Sequence, residues 1–487
     1  MKKIIVSILI LPFFASLLWA GQPPQVAGSF YPAGRKELGI LADQFLGAAE
    51  SSAANPPQIL IAPHAGYDYS GAVAGRAFRE IKGKSYEVVI VLGVAHQAEV
   101  PSAGAAMDPK GFFETPLGKI PVDQETAARL LALTPKIQPL PQAFQGEHSV
   151  EVELPFLQRT LPDFKIVPLV MNRPDLAAAK EVGEAIASVI KENEIAGKRT
   201  LLVVSTDFSH YPSRGEAQVS DAAMIPYIES VDPEGLFAES QTIMNKKIPN
   251  LVTVMCGEAG VLAGLYTAKA LGISKGRLLS HATSGDVAGG DKSRVVGYAA
   301  FVFYPAGSLT EEQKKQLLQT ARKSLKEYFE TGKTLGSSKG ADEFSDKPQA
   351  VFVTLRENGE LRGCVGTVSP QFPLKQAVME YAIAAATQDP RFPPVEKEEW
   401  DKLKIEISIL SPQRLVSGPD AIVPGLGVVL IQGNHTGIFL PEVWKETGWS
   451  KEKFLSELAS QKAGLPADAW KDPKTKLYVF TAAAFSE

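Results

Sequence analysis

Gln58-Ile59-Leu60-Ile61-Ala62-Pro63-His64-Ala65-Gly66-Tyr67 begins as an apolar run and breaks into a turn that carries a histidine. Short Val/Ile/Leu runs that do not alternate with polar residues read as strands buried on both faces, the mark of a parallel sheet. Two further stretches repeat the arrangement. Val88-Val89-Ile90-Val91-Leu92 leads into Gly93-Val94-Ala95-His96, and Leu201-Leu202-Val203-Val204 leads into Ser205-Thr206-Asp207-Phe208-Ser209-His210. In an open α/β sheet such strand ends converge on the crevice where ligands bind. The three runs therefore predict an α/β fold with imidazoles gathered at one edge of the sheet. A fourth histidine, His148 in Gly146-Glu147-His148-Ser149, precedes the amphipathic segment Val150 to Leu157, at a helix entrance.

Working outward, residues 22–304 read as one α/β unit. Phe112 to Gly118 is an extended piece closing in a turn, and Ile166 to Met171 is another strand, followed by a helix over about 175–192. Cys256-Gly257-Glu258 opens a small-residue helix running to about Leu271, and Val295 to Tyr304 is long enough for a final central strand. After a break at Pro305-Ala306-Gly307-Ser308, Thr310 with Gln313 forms a capping-box signature ahead of a helix whose face is Leu317, Leu318, Ala321, Leu325, Tyr328 and Phe329. The polar stretch Thr331 to Lys347 reads as a loop. Hairpin signals follow: 350–356 and 361–368 around Asn358-Gly359, then 427–431 and 437–440 around a tip at Gly433 to Gly437. Residues 312–487 are therefore an α+β unit with mostly antiparallel strands.

A chain of 487 residues exceeds one ordinary core, so two or three domains are expected. Its 45% hydrophobic and 21% charged content is that of a globular protein. Lys2 and Lys3 precede the apolar stretch Ile4 to Trp19, and Ala20-Gly21 offers a small-residue cut, so residues 1–20 read as a secretory signal peptide. Export to the periplasm or outside the cell follows, with an uncleaved membrane anchor as the alternative because Leu18 is a poor residue before the cut. No later run is long enough to span a bilayer. Loss of the leader with its two lysines takes the formal charge from −4 to −6, and no basic stripe exists, so nucleic acid is not an expected partner. The two cysteines, Cys256 and Cys364, fall in different units and give no disulfide framework.

His64 and His96 each follow a strand and point toward one crevice. Cys256 precedes a predicted helix whose N-terminal amides favour the thiolate. Two imidazoles and a thiolate leave a coordination position open, as in a catalytic metal site. Asp207 and His210, three residues apart, read either as a turn and a cap or as an acid/base pair beside the metal. Glu147 and Glu258 are spare carboxylates; either in place of the thiolate would make a two-histidine, one-carboxylate set for non-haem iron. His281 and His435 read as ordinary hydrogen-bonded histidines.

The succession Val26-Ala27-Gly28-Ser29-Phe30-Tyr31-Pro32, Ala62 to Tyr67, Glu147-His148-Ser149, Ser205 to His210 and Cys256-Gly257 resembles the Memo (mediator of cell motility) family over 22–304. The resemblance implies the fold of class III extradiol dioxygenases, which cleave aromatic rings with non-haem iron. It implies His64, His96 and Cys256 as ligands of a divalent transition metal, iron or copper ahead of zinc. It also implies His148, Asp207, His210 and Tyr69 lining the same pocket. Cysteine stands where a dioxygenase supplies glutamate, and a soft thiolate shifts preference toward copper or zinc. Val94-Ala95 replaces the family's Gly-Pro before the second histidine.

In the second unit, Leu361-Arg362-Gly363-Cys364-Val365-Gly366 follows the Asn358-Gly359 turn. The glycines would let a backbone or a ligand approach Cys364 closely, and Arg362 is suited to hold a carboxylate or phosphate. Arg362 and Cys364 are thus candidate substrate-binding residues. With Asp389-Pro390-Arg391-Phe392, Ile405 to Leu410 and Leu440-Pro441, this stretch is similar to the AMMECR domain family over about 312–487. No reaction is implied by that family. Memo, AMMECR and radical-SAM proteins form the AmmeMemoRadiSam set, and this chain resembles two of the three fused. The leader argues against steady contact with a cytoplasmic radical-SAM partner. The expected function is an exported redox metalloenzyme with a small-molecule or peptide ligand. The alternatives are a non-catalytic metal- or peptide-binding module and, last, hydrolysis by a zinc-bound water.

Overall fold

The computed structural model describes residues 21–47, 56–109, 111–305, 309, 311–335, 348–416, 418, 419, 422 and 424–487. The expected leader, Thr310 of the capping signature, residues 306–308 of the interdomain break and residues 336–347 of the polar stretch lie outside the described residues.

The first unit is built on β1 (Ile59–Ala62), β2 (Val88–Val94), β3 (Ala105–Met107), the small hairpin β4 (Phe112–Thr115) and β5 (Gly118–Pro121), β6 (Ile137–Pro139), β7 (Lys165–Met171), β8 (Thr200–Ser205), β9 (Arg277–Thr283) and β10 (Gly297–Phe303). Eight of them form one sheet in the order β6-β3-β7-β2-β8-β1-β10-β9. Its middle, β7-β2-β8-β1, is parallel as the apolar runs predict. Successive residues of these strands feed two separate cores. Ile59, Ile61, Ile90, Leu92, Leu202 and Val204 pack on one face, and Leu60, Ala62, Val89, Val91, Leu201 and Val203 on the other. Both faces are dry, so neither needs polar residues, and the runs do not alternate. The expectation of a central last strand is corrected: β10 runs antiparallel to β1 and lies next to the edge strand β9.

Helices α1 (Arg35–Leu46), α2 (Tyr67–Arg79) and α4 (Leu154–Thr160) cover one face; α3 (Gln124–Leu133), α5 (Leu176–Ile195), α6 (Arg214–Glu229), α7 (Pro233–Asn245) and α8 (Glu258–Ala270) cover the other. Register decides where the site forms. Ala62 of β1 pairs with Ser205 of β8, and Val204 pairs with Leu92 of β2. The carboxyl ends of the three strands are therefore nearly level, and His64, His96 and Asp207 leave the sheet at the same height. No helix among the described residues is long and apolar enough to cross a membrane.

The second unit begins with α9 (Glu311–Thr331), whose Leu317, Ala321 and Leu325 are buried. Then follow β11 (Val351–Glu357), β12 (Glu360–Gly366), α10 (Leu374–Thr387), β13 (Lys404–Leu410), β14 (Arg414–Leu415), β15 (Gly427–Gln432), β16 (His435–Phe439), β17 (Lys476–Phe480) and β18 (Ala482–Ser486). They make two four-stranded antiparallel sheets, β12-β11-β13-β18 and β14-β17-β15-β16. Asn358 and Gly359 both take positive φ, 53° and 89°, the backbone that a two-residue type I′ hairpin turn requires. The second hairpin is tighter than its sequence suggests. His435 and Thr436 already pair with Gln432 and Ile431, leaving a turn of Gly433-Asn434.

Candidate metal centre

The Nε2, Nδ1 or Sγ donor atoms of His64, His96 and Cys256 all lie within 4.8 Å of one another. His64 Nε2 is 3.3 Å from Cys256 Sγ, and the His64 and His96 rings meet edge to face at 5.4 Å. Cys256 reaches this point because Gly257 follows it. A β-carbon on Gly257 would stand 2.7 Å from the Thr206 side chain and 2.9 Å from Ser205 O. The turn before α8 can therefore press on the end of β8 only with glycine there. Gly257 N–H donates to Thr206 Oγ1 at 3.0 Å and Asp207 N–H donates to Cys256 Sγ at 3.3 Å, closing the contact.

Each imidazole is fixed through its second ring nitrogen. His96 Nδ1 lies 3.0 and 3.2 Å from the two oxygens of Glu147. Glu147, whose side chain is fully buried, also accepts the backbone N–H groups of His96, His148 and Ser149 at 2.7–2.8 Å. Burial pushes this carboxyl up, but the His96 ring and these N–H groups outweigh it and hold Glu147 below its ordinary value. His64 Nδ1 is 2.8 Å from Ser205 Oγ, which in turn is 2.7 Å from Glu153 Oε1. A histidine held at Nδ1 presents Nε2 outward, the arrangement characteristic of metal-ligating imidazoles.

His148 and His210 complete the cluster. His148 stacks on His96 at 4.7 Å, with an interplanar angle of 13°, and stands 5.4 Å from His64. His210 Nδ1 donates to Phe208 O at 2.8 Å, so its Nε2 is free to accept a proton. Burial, with the neighbouring imidazoles adding, drives His64 well below its ordinary value. Burial also lowers His210, and takes His148 down to about 4. All three are neutral at pH 7. Asp207 is buried and accepts the His64 backbone N–H at 2.9 Å. It therefore orients the His64 loop rather than an imidazole ring, and burial, opposed by its backbone partners, raises it to about 7.

Several expectations are corrected. The thiol of Cys256 is not lowered by the helix behind it; burial, reinforced by the Asp207 carboxylate, pushes it far above its ordinary value in the metal-free protein. Glu258 turns away to accept from Ser240 Oγ at 2.9 Å and is no substitute ligand. Glu147 orients His96 and, with His96 and His148, also forms a second group, of two histidines and a carboxylate, whose donor atoms lie within 4.8 Å of one another. Tyr69 lies on the first turn of α2, beside Gly66, and is 52% exposed. Arg362 holds a carboxylate, as its chemistry suggests, but that of Glu399, at 2.7 and 3.1 Å, and it also donates to Pro393 O. The cation beside Cys364 is Arg391, paired with Asp389. Cys364 receives a hydrogen bond from Thr354 Oγ1, donates its N–H to Asp389, and is raised by burial. His281 and His435 are held by Asp221 and by Ala463 O. Ser205 and Glu153 are participants that the sequence reading missed. The available signal was a pair of carboxylates, Glu151 and Glu153, inside an otherwise apolar run whose residues are all buried.

A family model described as Memo-like protein matches residues 22–302, and one described as AMMECR1 matches residues 318–485. A MEMO1 family protein of Methanopyrus kandleri is 38% identical over 290 residues, covering 58% of this chain and 98% of its own length. One from Nitrosopumilus maritimus is 35% identical over 286 residues, covering 58% and 98%. Protein PH0010 of Pyrococcus horikoshii is 40% identical over 190 residues, 37% of this chain and 92% of its own. The crystal structure of that uncharacterized protein covers 37% of this chain and 93% of its own with a TM-score of 0.35. This chain belongs to the Memo-like family through residues 22–302, and carries an AMMECR1 domain fused behind it.

Proposed function

We propose that the Memo-like unit is an exported redox metalloenzyme whose ion, iron or copper, is held by His64 Nε2, His96 Nε2 and Cys256 Sγ. One observation carries the reading. Three donor atoms from three separate loops lie within 4.8 Å of one another, and both imidazoles are tethered through the opposite nitrogen. A chance meeting of polar side chains has no need of that second layer of hydrogen bonds. The bound ion would supply one-electron chemistry and a coordination position for a small ligand.

The surrounding residues have proton work to do. His210 offers a bare Nε2 at neutral pH, and His148 is a second neutral imidazole against His96. Asp207, held at about 7, exchanges its proton near neutrality while keeping the His64 loop in place. Such groups suit general acid/base transfer beside the ion. Export is supported by the basic and apolar pattern of residues 2–19.

The test is metal analysis of protein recovered from the periplasm, followed by oxygen uptake with catechols. Stoichiometric iron or copper with turnover is the expected result. Tight copper without turnover makes the unit a metal-binding module instead. Full occupancy after separate alanine substitution of His64, His96 and Cys256 sinks the ligand set.

A further inference from the structure

Ser205 Oγ has three polar neighbours: His64 Nδ1 at 2.8 Å, Ser149 O at 2.7 Å and Glu153 Oε1 at 2.7 Å. A serine hydroxyl has one proton to give and two lone pairs to fill. All three contacts are satisfied only when it donates once and accepts twice. The Ser149 carbonyl can only accept, so the hydroxyl proton goes there. His64 must then donate from Nδ1, and Glu153 must donate as well. The opposite arrangement has an ionised Glu153 taking the serine proton. It leaves the Ser149 carbonyl facing a lone pair at 2.7 Å, in a site where Ser149, Glu153 and Ser205 are all buried. Buried acceptors are not left that way without cost.

Two independent features agree. Glu153 Oε2 has no hydrogen-bond partner among the described residues, a condition that the carbonyl oxygen of a neutral acid tolerates far better than a carboxylate does. Burial drives the Glu153 carboxyl well above its ordinary value, with the Ser205 contact opposing and Asp207 adding.

We propose that Glu153 is a neutral carboxylic acid at physiological pH and a positioning residue: by donating to Ser205 it fixes His64 in its Nδ1–H form, with Nε2 a bare lone pair facing Cys256. The contrast with His96 gives this a purpose. Behind His96 stands Glu147, an ionised carboxylate saturated by N–H donors. Behind His64 stands an uncharged chain. The two imidazoles are therefore unequal donors, His96 strengthened by a full negative charge and His64 not. The use of this asymmetry rests on the proposed metal centre; the position of the proton does not.

Infrared difference spectra of the metal-free full-length protein read that proton directly. Wild type minus Glu153→Gln at neutral pH is expected to show a carboxylic-acid C=O band that the variant lacks. A carboxylate signal in its place overturns the proposal. The same measurement on wild type labelled with 13C-glutamate needs no substitution. At about pH 8.5 Glu258, held at about 7, has ionised, and one isotope-shifted acid band is still expected; none overturns the proposal. Cobalt(II) titration, followed by its thiolate absorption, tests the positioning role. Gln keeps a donor toward Ser205, so Glu153→Gln is expected to bind within about threefold of wild type, while Ser205→Ala and Glu153→Leu lose about 10- to 100-fold. Equal loss in Glu153→Gln and Ser205→Ala overturns it. A wild type that binds no cobalt at all counts against the metal centre alone, and the infrared bands then still decide the proton.

Discussion

Glu147 grips His96 twice: its Oε2 accepts the His96 backbone N–H at 2.7 Å, and both its oxygens face the Nδ1 of the same ring at 3.0 and 3.2 Å. Main chain and side chain of one residue are thus referred to a single buried carboxylate. The ring cannot swing without breaking bonds that also hold the 147–149 turn. Removing the charge while keeping the shape should therefore weaken the site without dismantling it. Glu147→Gln is expected to lower cobalt(II) or zinc affinity by about 10- to 100-fold, read by competition with a chelating dye. Unchanged affinity would mean that Glu147 is a turn residue and nothing more.

The buried thiol predicts the proton balance of loading. Cys256 is protonated in the metal-free protein at neutral pH, because burial and Asp207 hold its pKa far above the ordinary value, while His64 and His148 are already neutral. The ion would have to displace the thiol proton and none from His64. At least one proton should appear per ion bound near pH 7, and apparent affinity should rise at least about tenfold per pH unit while the free thiol stays protonated. A pH indicator in weakly buffered solution measures the first quantity. Cys256→Ser should lower the release by about one proton, and a wild type releasing none would remove the thiolate from the ligand set.

In the second unit, Asp389 carries the acid sensitivity. Burial alone would raise its carboxyl. The Arg391 guanidinium at 2.7–2.9 Å, the Cys364 N–H at 2.8 Å and the Arg391 N–H at 3.1 Å outweigh burial and hold it at about 2. The folded-state value lies below the unfolded one of 3.8, so the stabilisation is complete above about pH 4 and disappears as pH falls toward about 2. Asp389→Asn should melt lower at neutral pH and lose the wild type's added acid dependence in that window. Parallel acid-denaturation curves for the two proteins would exclude the assignment.

What the sequence disclosed follows from the range of each interaction. The parallel middle of the sheet was legible because burial on both faces writes itself into consecutive residues such as Val88 to Leu92. The direction and place of β10 were not, since its run is as apolar as a central strand and its antiparallel pairing with β1 joins residues about 240 positions apart. His64, His96 and Cys256 could be nominated from their positions at strand and helix ends. Helix-end amides do not set the Cys256 thiol, because they act over one turn whereas full burial acts on the whole group. Ser205 carries no local mark, and Glu153 only that of a carboxylate inside an otherwise apolar run. Their role exists only once β8 and the segment before α4 lie side by side.

The glycine next to Cys364 separates the two units experimentally. Gly363 sits where a β-carbon would stand 2.0 Å from Ala385 O of α10. The approach that this glycine permits is thus made by the protein's own helix rather than by a ligand. Gly363→Ala must push α10 off the sheet or bend β12, an overpacking cost of about 1–3 kcal/mol or more. The AMMECR1 domain, followed by the fluorescence of its tryptophans Trp400, Trp444, Trp449 and Trp470, should melt earlier. Cobalt binding at His64, His96 and Cys256 should be unaffected, because the variant touches none of the residues around them. If Gly363→Ala melts like wild type, the glycine is there for something other than packing, and a ligand approaching Cys364 becomes the reading to pursue.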